Sequence, residues 1–217
     1  MKQRIPVGHI ALESFFIVLA VAVALVANSW REHRVAKQRA EVALEAIEDE
    51  VRANAQALRA AASYHSTLLG RLSAHQGNEP PSMSMFSRGF VSAANLSRHA
   101  WRSAANTGAL DVAPYERVLE LESAYQDQAR YEQQSAVVSG EIYRLLFDGG
   151  TDRVRESWQN LRAVLASMAY RECALIRTLE SRLGNVASAE GDRAEAGPAE
   201  SLPAACAQLS RSPGFRD

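Results

Sequence analysis

The chain has 217 residues, a net charge of −1, an apolar share of 47% and an aromatic share of 7%. With an anchor and a loose end set aside, about 150 residues remain, enough for one core. The lack of a basic excess excludes a nucleic-acid binder. A composition rich in Ala, Leu, Glu, Arg and Gln favours helices.

Residues 1–9 form a short N-terminal tail. From 10 to 27 nearly every residue is apolar, broken only by Glu13 and Ser14; Trp30 closes the run, and Arg31, Arg34, Lys37 and Arg39 follow. A helix of roughly 20 residues crosses a hydrocarbon core of about 30 Å, so residues 10–30 are long enough for one transmembrane helix. A cleaved signal peptide is the rival reading. Its apolar region is shorter and ends at a small-x-small site. Here the run passes through Ala22 and Ala24, and a Trp with a basic flank follows. The same flank argues against a buried core helix.

Basic residues on the two sides decide orientation poorly. Lys2 and Arg4 precede the span and four basic residues follow it, a slight lean toward a cytoplasmic domain.

No Gly or Pro occurs between Gly8 and Gly70, so the anchor is expected to run unbroken into a long helix. Leu44, Ile47, Val51, Leu58, Ala61, Leu68 and Leu72 recur at steps of three and four, with Asn54 and His65 in the vacant steps; this is a stripe facing other helices. Residues 77–81, Gly-Asn-Glu-Pro-Pro, end it by turn chemistry. A shorter helix is expected over 92–106, stopped by Gly108. Residues 111–114, Asp-Val-Ala-Pro, open the next helix. Its inner face is Val118, Leu121, Tyr125, Ile142, Leu145 and Leu146, with a polar middle of Gln128, Glu132 and Ser135. Residues 148–150, Asp-Gly-Gly, make a sharp turn, and Thr151 or Asp152 is placed to cap the last helix. That helix carries Val154, Trp158, Leu161, Leu165, Met168, Leu175 and Leu179, with Glu172 in the open step. Gly184 is expected to end it. Residues 185–217 read as a flexible tail, short of large apolar residues, with a brief helical turn over 201–209. The fold expected is all-α: a transmembrane helix continuing into an antiparallel helical bundle over 31–184.

Glu13, Ala24, Leu25, Asn28 and Trp30 match in register the N-terminal signature of a bacterial family of small single-pass membrane proteins of unknown function, which this chain resembles. Ala20 stands where that family has Gly, and Ser29 where it has a second Asn. Ala100-Trp101, Ala104 and Thr107-Gly108 are similar to a second motif of the family, and a helix with a Tyr near Tyr125 follows in both. The resemblance covers residues 8–183. It implies a bacterial inner-membrane protein with no assigned activity, its N-terminus inside and its helical domain in the periplasm.

Candidate functional residues fall into four groups. Glu13, Ala20, Ala24 and Ala27 share one side of the span, and small residues four apart let helices approach; they form a candidate packing face for a second copy or another membrane protein. Asn28 and Trp30 read as the interface anchor. Trp101, Thr107 and Gly108 read as a structural motif. Asn54, His65, Gln128, Glu132 and Glu172 are polar residues on apolar stripes, which need partners if buried. They either fix helix register or line a small polar pocket that binds a ligand. His65, His75 and His99 lack the spacing of a helical metal site, and no zinc, phosphate-loop or nucleophile motif occurs. Cys173 and Cys206 are expected as free thiols, one in the core and one in the tail. The alternative, a disulfide docking the tail on the last helix, would stabilise by about 3–4 kcal/mol. No cofactor and no catalysis are expected. The functional expectation is a membrane-anchored helical interaction or scaffold module; a periplasmic ligand-binding bundle acting through a partner is the alternative.

Overall fold

The structure, a computed structural model, describes residues 7–75, 79–86, 89–189 and Cys206, with side chains from Phe15 to Leu183. The side chain of Glu13, residues 77 and 78 of the loop at 77–81 and the tail beyond Ala189, except Cys206, lie outside the described residues. The described chain is all-α. Its helices are α1 (Val7–Ala74), α2 (His99–Asn106), α3 (Tyr115–Glu156) and α4 (Trp158–Ala189), with a single 3-10 turn at Met83–Phe86.

The absence of Gly and Pro lets α1 run from the apolar segment into the bundle without a break, as its sequence demands. Its first half is long and apolar enough to cross a membrane, and none of its most apolar 18-residue window is buried. Its second half is the spine of the fold. Ile47, Val51, Leu58, Leu68 and Leu72 are buried, and so are Leu121 and Tyr125 of α3 and Leu161, Leu165, Leu175 and Leu179 of α4. The stripes read from the sequence are therefore the core.

Cross-helix bonds fix the directions. Glu48 and Glu50 of α1 meet Arg117 and Tyr125 of α3, so these helices run parallel. Arg59 and His65 of α1 meet Glu180 and Glu172 of α4, so α4 returns antiparallel. The descending link between α1 and α3 is an extended strap at residues 89–98, followed by α2.

Several boundaries differ from the sequence reading. The helix expected over 92–106 begins only at His99, because the strap gives its main-chain groups to bundle side chains instead of to itself. Gly149 and Gly150 leave helical geometry, Gly150 with φ of +66°, so the sharp turn expected at 148–150 is present and divides α3 into two helical segments. The following turn reaches Glu156, and Ser157 interrupts the chain before Trp158. Residues 151–156 thus form a short helical segment between the sharp turn and Trp158, and Val154 and Trp158 share one core cluster. α4 also passes Gly184, since one helix-interior Gly costs only about 1 kcal/mol.

The expectation of free thiols is overturned. Cys173 and Cys206 form a disulfide, with Cα atoms 5.5 Å apart, and both residues are buried. The tail's polar composition hid a residue that belongs to the core.

Candidate functional site

Glu50, Asn54, Ala61 and His65 follow at steps of four and seven along α1, so they form one row beside the apolar stripe. The strap lies along this row and runs opposite to α1. The Ser92 amide donates to His65 Nε2 (3.0 Å). The Ala94 amide donates to the Tyr131 hydroxyl of α3 (2.9 Å). Asn54 makes a two-way pair with Ser97, its Nδ2 donating to the Ser97 carbonyl and its Oδ1 accepting from the Ser97 amide, each at 2.8 Å. Glu50 accepts from Ser97 Oγ and from the amides of Ala100 (3.0 Å) and Trp101 (3.4 Å). Arg98 of the strap pairs with Glu132 of α3. Every polar group in the row of α1 is thus matched to backbone that would otherwise lack a partner.

The deepest part is His65, Tyr131 and Glu172, all buried. His65 Nε2 accepts a main-chain hydrogen, so the ring proton sits on Nδ1, which donates to Glu172 at 3.0 Å from either oxygen. Tyr131 accepts from Ala94 and donates to Glu172 at 2.8 Å. Burial and the Glu172 carboxylate push the Tyr131 phenol well above its ordinary value. This is an acid–imidazole pair, but its outward nitrogen is occupied by the strap. Held so, it has no substrate-facing atom and serves to lock three elements together.

Glu50 works as a helix cap supplied from another helix. Arg98, at the N-cap of α2, makes no side-chain cap bond. The Glu50 carboxylate takes two first-turn amides in its place, where the helix dipole favours an anion. It also accepts from the Tyr125 hydroxyl at 2.6 Å. Burial raises its pKa, but the bonds from Ser97, Tyr125, Ala100 and Trp101 outweigh that and hold it below 4.5. Tyr125 is pushed far up by burial and by Glu50; its ring stacks on half-buried Trp101, centroids 5.2 Å apart.

The sequence-selected residues divide as follows. Asn54 and His65 bond the strap directly, and Glu172 is joined to it through His65 and Tyr131. Glu132 is a part-exposed partner of Arg98. Gln128 is buried, and neither its Oε1 nor its Nε2 has a partner among the described residues. The five do not line one open pocket. Trp101 packs on Tyr125, Thr107 is the C-cap of α2, and Gly108 has φ of +67°. The amides of Gly108 and Ala109 bond back to Ala105 and Ala104, which is a Schellman stop. Ala20, Ala24 and Ala27 are exposed on α1. Asn28 donates to Glu32 at 2.7 Å and Arg34 covers the Trp30 ring at 4.0 Å.

Glu50, Tyr131 and Arg117 were not singled out from the sequence. Arg117 donates to Glu48 (2.7 Å), Glu120 (3.1 Å) and the Arg182 carbonyl (2.8 Å), tying α1, α3 and α4. The four-residue step from Glu50 to Asn54 was the available signal for the polar row. No metal-binding group of His, Cys, Asp or Glu occurs among the described residues.

No family model, curated protein or solved structure matches the chain.

Proposed function

We propose that this protein is a single-pass, membrane-anchored interaction module whose bundle stands on a rigid stalk outside the cytoplasm. The observation that carries this reading is α1 itself: one helix joins an exposed apolar segment to the core of the bundle. A rise of 1.5 Å per residue places the end of α1 roughly 65 Å beyond Trp30. The far end of the bundle carries Tyr143 and Phe147, one helical turn apart and 63% and 89% exposed. Aromatics so placed are candidate anchors for a partner protein. The Cys173–Cys206 disulfide supports an oxidising compartment, which agrees with the N-in orientation the family resemblance implies. It also outweighs the slight lean of the basic-residue count.

Of the five polar residues that suggested a ligand pocket, Asn54, His65 and Glu132 bond the strap and Glu172 bonds His65 and Tyr131; Gln128 alone has no partner among the described residues, which gives the ligand-binding alternative little support. Catalysis has no support from the geometry either, because the buried acid–imidazole pair faces main chain.

The test is site-specific photocrosslinking in intact cells. A photoreactive residue at Phe147 or Tyr143 is expected to capture a discrete partner. One at exposed Arg102, near the membrane end, is expected not to capture it. Equal capture at all positions, or none at the tip, refutes the tip as the docking end. Release of the chain by alkaline carbonate refutes the anchor.

A further inference from the structure

Near the membrane end, α1 and the α2 loop enclose a groove of about 880 Å³. One wall is α1, with Val35, Arg39, Val42 and Ala46; the other includes Ala104 and Asp111. Val35 and Val42 are 41% and 61% exposed, although this half of α1 stands beyond the apolar segment. The two valines are seven residues apart and both line the α1 wall of the groove.

The spacing does not stop at the groove. Val21, Asn28, Val35 and Val42 recur every seven residues, and all are exposed. A seven-residue repeat holds its face toward a parallel partner helix by left-handed supercoiling. A lone Asn within such a column fixes register. We propose that the occupant of the groove is α1 of a second copy, forming a parallel dimer along Val21, Asn28, Val35 and Val42.

Two observations select a second copy over other occupants. Because the column continues into the apolar segment, the occupant must leave the bilayer beside α1, at the same level and in the same direction. A second copy meets that condition by construction, and a two-fold axis makes the contact self-complementary. The charges agree as well. Asp111 on the far wall has no cationic partner among the described residues, and the α1 stretch entering the groove is basic, with Arg31, Arg34, Lys37 and Arg39.

The dimer rests on the reading of α1 as a membrane anchor, and the experiment separates the two. Single cysteines are placed in the full chain in its own membranes at Val35 or Val42 on the column, and at Lys37 or Glu41 off it. All four positions are exposed, so folding is not at risk, and the two native cysteines are engaged with each other. On oxidation V35C and V42C give disulfide-linked dimers, and K37C and E41C stay monomeric. D111K in the V42C background loses most of the dimer band. Monomer at every position in a chain that resists carbonate overturns the dimer and leaves the anchor standing. Equal crosslinking at all four positions also overturns it, as does an adduct of another mass at V35C. A chain removed by carbonate fails the anchor and the dimer together.

Discussion

Glu50 shows how one carboxylate can decide where a helix begins. Its pKa lies below 4.5 in the folded chain, so above that pH its contribution to stability is complete. As pH falls through the folded value, the unfolded chain binds the proton more readily and stability is lost. The melting temperature should therefore fall on acidification below pH 4.5, and E50Q should flatten that slope. At neutral pH E50Q should cost about 1.5–3 kcal/mol, the range for a hydrogen bond to a charged group. Gln128 predicts the opposite sign. A buried amide without partners costs about 1–3 kcal/mol, so Q128M, close in volume, should raise the melting temperature; a fall would mean that the amide is satisfied by residues beyond those described. The sequence exposed Asn54, His65, Gln128 and Glu172, because a polar residue on an apolar stripe is visible from periodicity alone. It did not expose Tyr131 or Glu50. An aromatic on an inner face reads as packing, and a Glu beside a stripe reads as solvated surface. Their role depends on a strap more than 35 residues away in the chain.

The strap is the element that periodicity could not find. Ala93, Ala94 and Leu96 favour a helix, yet Ser92, Ala94 and Ser97 direct their amides to His65, Tyr131 and Asn54. Propensity differences of a few tenths of a kcal/mol per residue yield to several buried hydrogen bonds of about 1 kcal/mol each. The long stripes of α1, α3 and α4 were readable because each repeats over several turns, whereas the strap has no repeat. Amide exchange should show this division. In wild type the amides of Ser92, Ala94 and Ser97 should exchange slowly for a non-helical segment, and Y131F should release Ala94 first, with a stability loss of about 1–3 kcal/mol. At the other end of α2, the Gly108 stop was read correctly, since a Gly after a helical run has a specific backbone use. A Cβ there would meet Asp111 Oδ2 at 2.9 Å on a backbone with φ of +67°. G108A should cost about 1–2 kcal/mol in the denaturation midpoint, while G140A, with open space around its Cβ, should be neutral or stabilising.

For the molecule as a whole, the disulfide links fold to compartment. Cys206 lies 33 residues beyond Cys173 and is buried against the core that contains Leu175, Ile176 and Leu179. A cross-link closing a loop of that size stabilises by about 3–4 kcal/mol in the chain-entropy account, a large share of the roughly 5–15 kcal/mol typical of a domain. The double variant C173A/C206A should lose most of that amount in chemical denaturation. Its helical content should fall little, since the α1, α3 and α4 stripes remain. The same pair reports on topology. In native membranes, a thiol reagent large enough to shift a gel band should add no mass before reduction, and two additions should appear once the chain is unfolded and reduced. Two reactive thiols in freshly lysed cells would place the bundle on the reducing side. The basic residues after Trp30 would then hold the anchor by the positive-inside rule, and the stalk would point into the cytoplasm. Fully blocked thiols instead leave the bundle outside, where the exposed Tyr143 and Phe147 of its far end would meet partners in an oxidising compartment.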